Sequence, residues 1–203
     1  MLGKNTENAL CFWQRVFFEK REISCNLLPV SLVSVVKGLS RKRGQHMRLP
    51  LETLAQKYQM SVYRAAFSAC KNPQDAEDAT QETFLSYHRS SRQFESEEHI
   101  RAWLLRVAIN KGKNLRLSFW ARNRQSMEDY LESLVFEDPE DRDLFTAVMA
   151  LPEKYRTVIH LYYYEDYAVK EIAKIVGASE GTVKTRLHRG REMLKNNLKE
   201  GQS

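Results

Sequence analysis

The stretch Val169 to Leu194, VKEIAKIVGASEGTVKTRLHRGREML, constrains this chain more than any other. It reads as two helices joined by a tight turn. Val169, Ile172, Ala173 and Val176 form the apolar stripe of a helix buried on one side. Gly177 follows, where a glycine ends a helix at little conformational cost. Ser179 is a good N-cap for the second helix. That helix has Val183, Leu187 and Leu194 to bury, and offers Thr182, Lys184, Thr185, Arg186, His188, Arg189 and Arg191 on its other side. Ala173, four residues before the turn glycine, lets the helices cross closely. The pattern is a helix-turn-helix, whose second helix fits a DNA major groove.

Charge supports an anionic partner only locally. The formal net charge is +6, but residues 1–46 hold eight Lys/Arg against three Glu, and residues 47–203 hold 24 Lys/Arg against 23 Asp/Glu. A nucleic-acid reading must therefore rest on patches. Lys184–Lys199 is one, with six Lys/Arg against one Glu, which a purely structural helical hairpin does not need.

The rest of the chain reads as helical. Residues 1–46 show weak periodicity and no clear caps, and Met47 opens a cleanly helical sequence. Met47 as the true start is the favoured reading. Arg43-Gly44 sits where purine-rich ribosome-binding codons would lie, and an amphipathic arm is the alternative. Helices are expected over Leu51–Cys70, from Asn72-Pro73 (N-cap and N1) to about Ser90, and over Glu98–Leu117. The last of these carries Ile100, Trp103, Leu104, Val107, Ala108 and Leu115 on its apolar side. From Tyr87 to Arg124, nine Lys/Arg interleave with Phe94, Trp103, Phe119 and Trp120, a composition suited to stacking on unpaired bases. The charge then inverts: residues 125–143 hold eight Asp/Glu and one Arg, and read as an exposed linker. A short helix over Leu144–Leu151 and another starting at Pro152, through Val158, Ile159 and Tyr162, lead into the helix-turn-helix.

Other classes find little support. Cys11, Cys25 and Cys70 show no pair or metal spacing, and Cys70 reads as a small core residue. The longest apolar run, Ile23 to Val36, carries Asn26 and Pro29 and is too short to span a bilayer. Lys37–Arg43 stands where a signal peptide would need small residues. His46, His88, His99, His160 and His188 are scattered, so neither a metal site nor a catalytic cluster is expected. A dimeric helix-turn-helix regulator remains the rival among binding proteins.

Two further segments carry chemistry. In DAEDATQETFL, Ala76, Ala79, Thr83 and Tyr87 can pack on one side, while Asp78, Gln81 and Glu82 cluster on the other. Physics alone favours a solvated acidic face near a helix N-terminus. In RAWLLRVAIN, Trp103 reads equally well as core or as a surface for bases.

DAEDATQETFL, RAWLLRVAIN and LPEKYRTVIHLYYYEDYAVKEIAKIVGASEGTVKTRLHRGR, in that order, resemble a bacterial RNA polymerase sigma factor of the sigma-70 family, extracytoplasmic-function (ECF) group. The resemblance covers roughly Leu51 to Leu198 and implies an all-α chain of two small helical domains joined by a flexible acidic linker. It implies an N-terminal extension (1–46), a region 2-like domain (47–118), the linker (119–139) near the polymerase RNA channel, and a region 4-like domain (140–203). There is no room for a region 3.

By this resemblance Asp78, Gln81 and Glu82 bind the β′ clamp helices, reversing the solvated-face reading. Arg101, Trp103, Arg106, Asn110, Lys113 and Arg116 engage the −10 element. Ser179, Glu180, Thr182, Lys184, Thr185, Arg186, His188 and Arg189 read the −35 element while the domain sits on the β flap. Core polymerase, promoter DNA and an anti-sigma factor are the implied partners, with no cofactor, metal, small-molecule substrate or catalytic residue. The implied place is the cytoplasm and nucleoid, with the anti-sigma factor as a membrane tether. Two departures touch −10 recognition: Asn114 replaces a common acidic residue, and Gly112 sits inside a helix at about 1 kcal/mol against Ala.

Overall fold

The computed structural model describes residues 47–118 and 138–200, which fall into two compact helical units. The N-terminal extension, most of the linker, Phe119, Trp120, Cys11 and Cys25 lie outside the described residues. No helix among the described residues is long and apolar enough to cross a membrane.

Among the described residues the first unit has three helices: α1 (Leu51–Cys70), α2 (Pro73–Arg89) and α3 (Glu97–Ser118). Helix α1 packs on both others, and α2 packs on α3. Helix α1 ends at Lys71, whose φ of 62° is left-handed and whose N–H returns to Phe67 O. Asn72 then caps α2 as expected, its Oδ1 accepting from the Asp75 N–H at 2.9 Å, with Pro73 in the first turn. Cys70 is buried in the core. Among the described residues one bridge, Met47 with Phe94, stands outside the helices.

The apolar side of α3 differs from the sequence expectation. Its core side carries Ile100, Leu104, Leu105, Ala108 and Ile109, while Trp103, Val107 and Leu115 are only half-buried. Gly112 belongs to this buried side. A Cβ there would lie 2.8 Å from the Ala66 carbonyl oxygen and 3.3 Å from Ala69 Cβ. The small residues Ala66 and Ala69 on α1 meet Gly112 at a close crossing of two backbones. The glycine that looked like a defect is required by packing.

The second unit contains α4 (Pro139–Ala150), α5 (Glu153–Tyr163), α6 (Val169–Val176) and α7 (Glu180–Glu200), with α7 packed on the other three. Helix α4 starts five residues before the expected Leu144, so the end of the acidic stretch is helix. Asp138 caps it, accepting from the Glu140 N–H at 2.9 Å, and Glu140 and Asp141 favour the positive end of the macrodipole. Pro152 is the residue before α5 rather than its first turn. Tyr162, near the end of α5, is exposed.

The core of this unit includes polar groups. Arg156 is fully buried, and its Nη1 donates to Leu151 O at 2.5 Å and Met149 O at 3.4 Å, carbonyls at the end of α4. The His160 Nε2 lies 3.6 Å from Glu165 Oε1, both side chains buried, with the Tyr164 ring stacked on the imidazole.

Candidate polymerase and nucleic-acid interfaces

Helix α2 is cleanly two-sided. Ala76, Ala79, Thr80, Thr83, Phe84 and Tyr87 are buried. The buried hydroxyls of Thr80 and Thr83 donate to the carbonyls of Ala76 and Ala79, so the inner side leaves neither hydroxyl unmet. At 3.6 residues per turn, Asp78, Gln81 and Glu82 lie together on the opposite side, Asp78 and Glu82 exposed and Gln81 half-buried. Leu85 is half-buried on that side too, an apolar group the sequence reading overlooked. So was Lys111 of α3, whose Nζ reaches Glu82 Oε2 at 3.3 Å. An acid and amide surface around one apolar group suits a basic partner.

Helix α3 brings four of its six candidates together. Trp103, Arg106, Asn110 and Lys113 share the side away from the core, with Arg106 and Asn110 exposed. Arg101 and Arg116 fall, by the same periodicity, on the side turned toward the packed helices, and both are half-buried. Phe94, expected as a stacking surface for bases, is fully buried. It instead supports Trp103, whose ring meets it edge-on at 5.7 Å and meets Tyr87 at 6.2 Å. Burial raises the Tyr87 phenol, against the opposing effects of its bond to Leu49 and of the Arg48 charge. The half-exposed indole is thus held from behind by aromatic rings while cations and an amide line its outer side.

The turn before α7 forms as its sequence dictates. Gly177 has φ 66°, and the Ala178 N–H returns to Ala173 O at 3.0 Å. Ser179 Oγ accepts from the Thr182 N–H at 3.1 Å and shares a 2.9 Å hydrogen bond with the Thr182 hydroxyl. Val183 and Leu187 are buried, as is Gly190, while Leu194 is half-buried. Opposite this stripe lie Thr185 and His188, with Thr182 and Arg189 beside them and Lys184 and Arg186 on the two flanks. Thr185 donates to Gly181 O at 2.9 Å, and His188 Nε2 lies 3.5 Å from Glu192 Oε1. Glu180 is exposed at the first turn. Arg189 first, and then Lys154, hold the Tyr155 phenol of α5 below its usual value. Arg191 turns back onto α5: its Nε donates to Tyr163 Oη at 2.8 Å, and its guanidinium lies 5.4 and 5.6 Å from the Tyr162 and Tyr163 rings.

Such an arrangement can hold an unpaired base against one unit and lay a basic helix in a groove with the other, which defines a DNA-engaging factor made of two modules. Comparison with known proteins names the class. Residues 54–127 match sigma-70 region 2, and residues 141–194 match sigma-70 region 4. The RNA polymerase sigma factor SigV of Bacillus subtilis is 33% identical over 161 residues, covering 76% of this chain and 94% of the relative. The ECF sigma factor SigW of the same organism is 30% identical, covering 70% and 86%. The chain belongs to the ECF group of the sigma-70 family of RNA polymerase sigma factors. It is a non-catalytic subunit that binds core RNA polymerase and directs it to promoter DNA. Among solved structures, a sigma factor RpoE in complex with the anti-sigma factor NepR from Bartonella quintana shares the fold. Its TM-score is 0.56 and its identity 21%, over 73% of this chain and 96% of that one. CnrH in complex with the cytosolic domain of CnrY has the same TM-score at 24% identity, covering 74% and 88%.

Proposed function

We propose that the two units divide promoter recognition between them. The first, 47–118, docks the outer side of α2 (Asp78, Gln81, Glu82, with Leu85) on the polymerase clamp helices. It receives the opened −10 strand on the α3 side that carries Trp103, Arg106, Asn110 and Lys113. The second, 140–203, rests on the β flap and lays α7 in the major groove of the −35 element. Base edges meet the central residues, and phosphates meet Lys184 and Arg186 on the flanks. Residues 119–139 are the acidic stretch that links the two tasks near the RNA channel. The observation that carries this reading is the side of α3 on which a half-exposed, ring-buttressed Trp103 stands beside exposed Arg106 and Asn110.

An anti-sigma factor holds this protein inactive in the cytoplasm until its signal arrives. The basis is likeness to chains whose solved structures are complexes with anti-sigma proteins. In vitro transcription with core polymerase on genomic fragments, with start-site mapping, tests the whole reading. Starts sharing one −10 and one −35 sequence are expected. Promoter binding by the free protein as a symmetric dimer, with no core-dependent transcription, would overturn it.

A further inference from the structure

We infer that Arg48 is a positioning residue for strand capture: it clasps the end of α2 and, through it, the loop that sets Trp103. The inference rests on the reading of α3 given above. The guanidinium of Arg48 donates through Nη2 to Tyr87 O at 2.6 Å and His88 O at 3.1 Å, and through Nη1 to Ser90 O. These carbonyls lie at the C-terminal end of α2, where a helix runs out of its own donors and its dipole favours a cation. An arginine suits the task because it offers several donors in one rigid plane. The same guanidinium lies 4.8 Å from the centre of the Tyr87 ring.

The neighbours of Arg48 extend the clasp. The Tyr87 hydroxyl accepts from the Leu49 N–H and donates to Leu49 O, each at 3.0 Å. The Met47 N–H donates to Phe94 O at 2.6 Å. Residues 47–49 therefore tie the loop between α2 and α3 near both its ends. Tyr87 and Phe94, the two rings so fixed, are the rings against which Trp103 leans. Arg48 itself is exposed and adds nothing to the apolar core of Leu54, Val62 and Phe67. What its removal releases is the setting of the loop and the indole.

The test uses holoenzyme assembled from the full chain and core polymerase, with two readouts. One is affinity for core. The other is affinity for a fork-junction promoter whose −10 non-template strand is unpaired. Arg48→Ala is expected to lower fork affinity about tenfold, roughly the worth of one hydrogen bond to a charged group, with core affinity held within about twofold. Unchanged fork affinity would overturn the inference. So would a parallel loss of both affinities, which would make Arg48 a residue of the fold alone. Arg106→Ala is the reference arm. A loss there with none in Arg48→Ala removes Arg48 only; no loss there removes the reading of α3 and the inference with it.

Discussion

Both units bury a glycine where one helix packs on another, and the two glycines meet different things. In the first unit Gly112 faces a backbone carbonyl, Ala66 O, at 2.8 Å from where a Cβ would stand. In the second, Gly190 faces the side chain of Ile159, with Cγ1 at 3.2 Å and Cδ1 at 3.3 Å from that position. A carbonyl inside a helix cannot move without breaking its ladder; a side chain at 3.2 Å need give by only a few tenths of an ångström. The first unit is thus set by backbone against backbone, which fixes α3 and the surface it carries. The second is set by side chains, including the buried Arg156, His160 and Glu165. Its recognition helix is held by groups that can be edited one at a time.

The largest expected effect lies in those buried polar groups. Arg156→Ala should destabilise the second unit by about 3 kcal/mol, because it leaves a cavity and strips the donor from carbonyls at the end of α4. Hydrogen exchange read by segment in the full chain would show Pro139–Glu200 opening more readily while Leu51–Ser118 keeps its protection. Protection lost equally in both units would break the contrast, since it would mean the units do not unfold independently.

The glycines test the contrast directly. Gly112→Ala gains about 1 kcal/mol of helix propensity but meets an immovable oxygen, at an overpacking cost of roughly 1–3 kcal/mol. The net expectation is a destabilised first unit, with weakened −10 binding as α3 shifts. Gly190→Ala gains the same propensity against a movable Ile159 and should be within about 0.5 kcal/mol of neutral. Denaturant melts of both variants settle it. A more stable Gly112→Ala would show that α1 and α3 can separate freely.

Those glycines also mark where the sequence stopped being legible. Helical periodicity placed α1, α2 and the helix-turn-helix closely, because each has an apolar stripe, and the last two add recognisable caps: Asn72 with Pro73, Gly177, Ser179. The outer sides of α2 and α7 could be read for the same reason, since a buried stripe defines its opposite. What could not be read depends on partners distant in the chain. Gly112 looks costly until Ala66 lies against it. Phe94 looks available for stacking until Tyr87 and Trp103 enclose it. Arg48, about forty residues before the carbonyls it caps, carries no local signal at all. The start of α4 was missed because a dense run of acids reads as linker, although Asp138, Pro139 and Glu140 are a regular helix start.

A smaller effect separates the centre of α7 from its flank. Arg189, exposed beside the central Thr185 and His188, is expected to read a base. Arg189→Ala should cost about 1–3 kcal/mol and relax preference at one −35 position. Lys184, exposed on the flank, should touch phosphate. Lys184→Ala is expected to weaken all sequences alike and flatten the salt slope of holoenzyme binding by about 0.9. If both variants relaxed the same position, the flank assignment would be wrong.

The smallest effect is a pH dependence confined to the first unit. Glu97, at the start of α3, accepts hydrogen bonds from Lys57 and, at 2.6 Å, from Tyr58 of α1. The Lys57 bond, then the Tyr58 bond, holds the Glu97 carboxyl below its ordinary value of 4.5. A carboxyl whose folded pKa is depressed adds stability that is present above its unfolded value. That stability is lost as pH falls through the lower folded one. Lys57 is exposed and Glu97 half-buried, so salt should screen the pair in part. Acid titration of the full chain, followed by exchange in Leu51–Ser118, should show an acid-side loss that Glu97→Gln makes shallower. Protection in Pro139–Glu200 should follow the same curve in both proteins. An acid limb left unchanged in the first unit would mean that its closely set backbones, rather than this link between α1 and α3, carry the whole response.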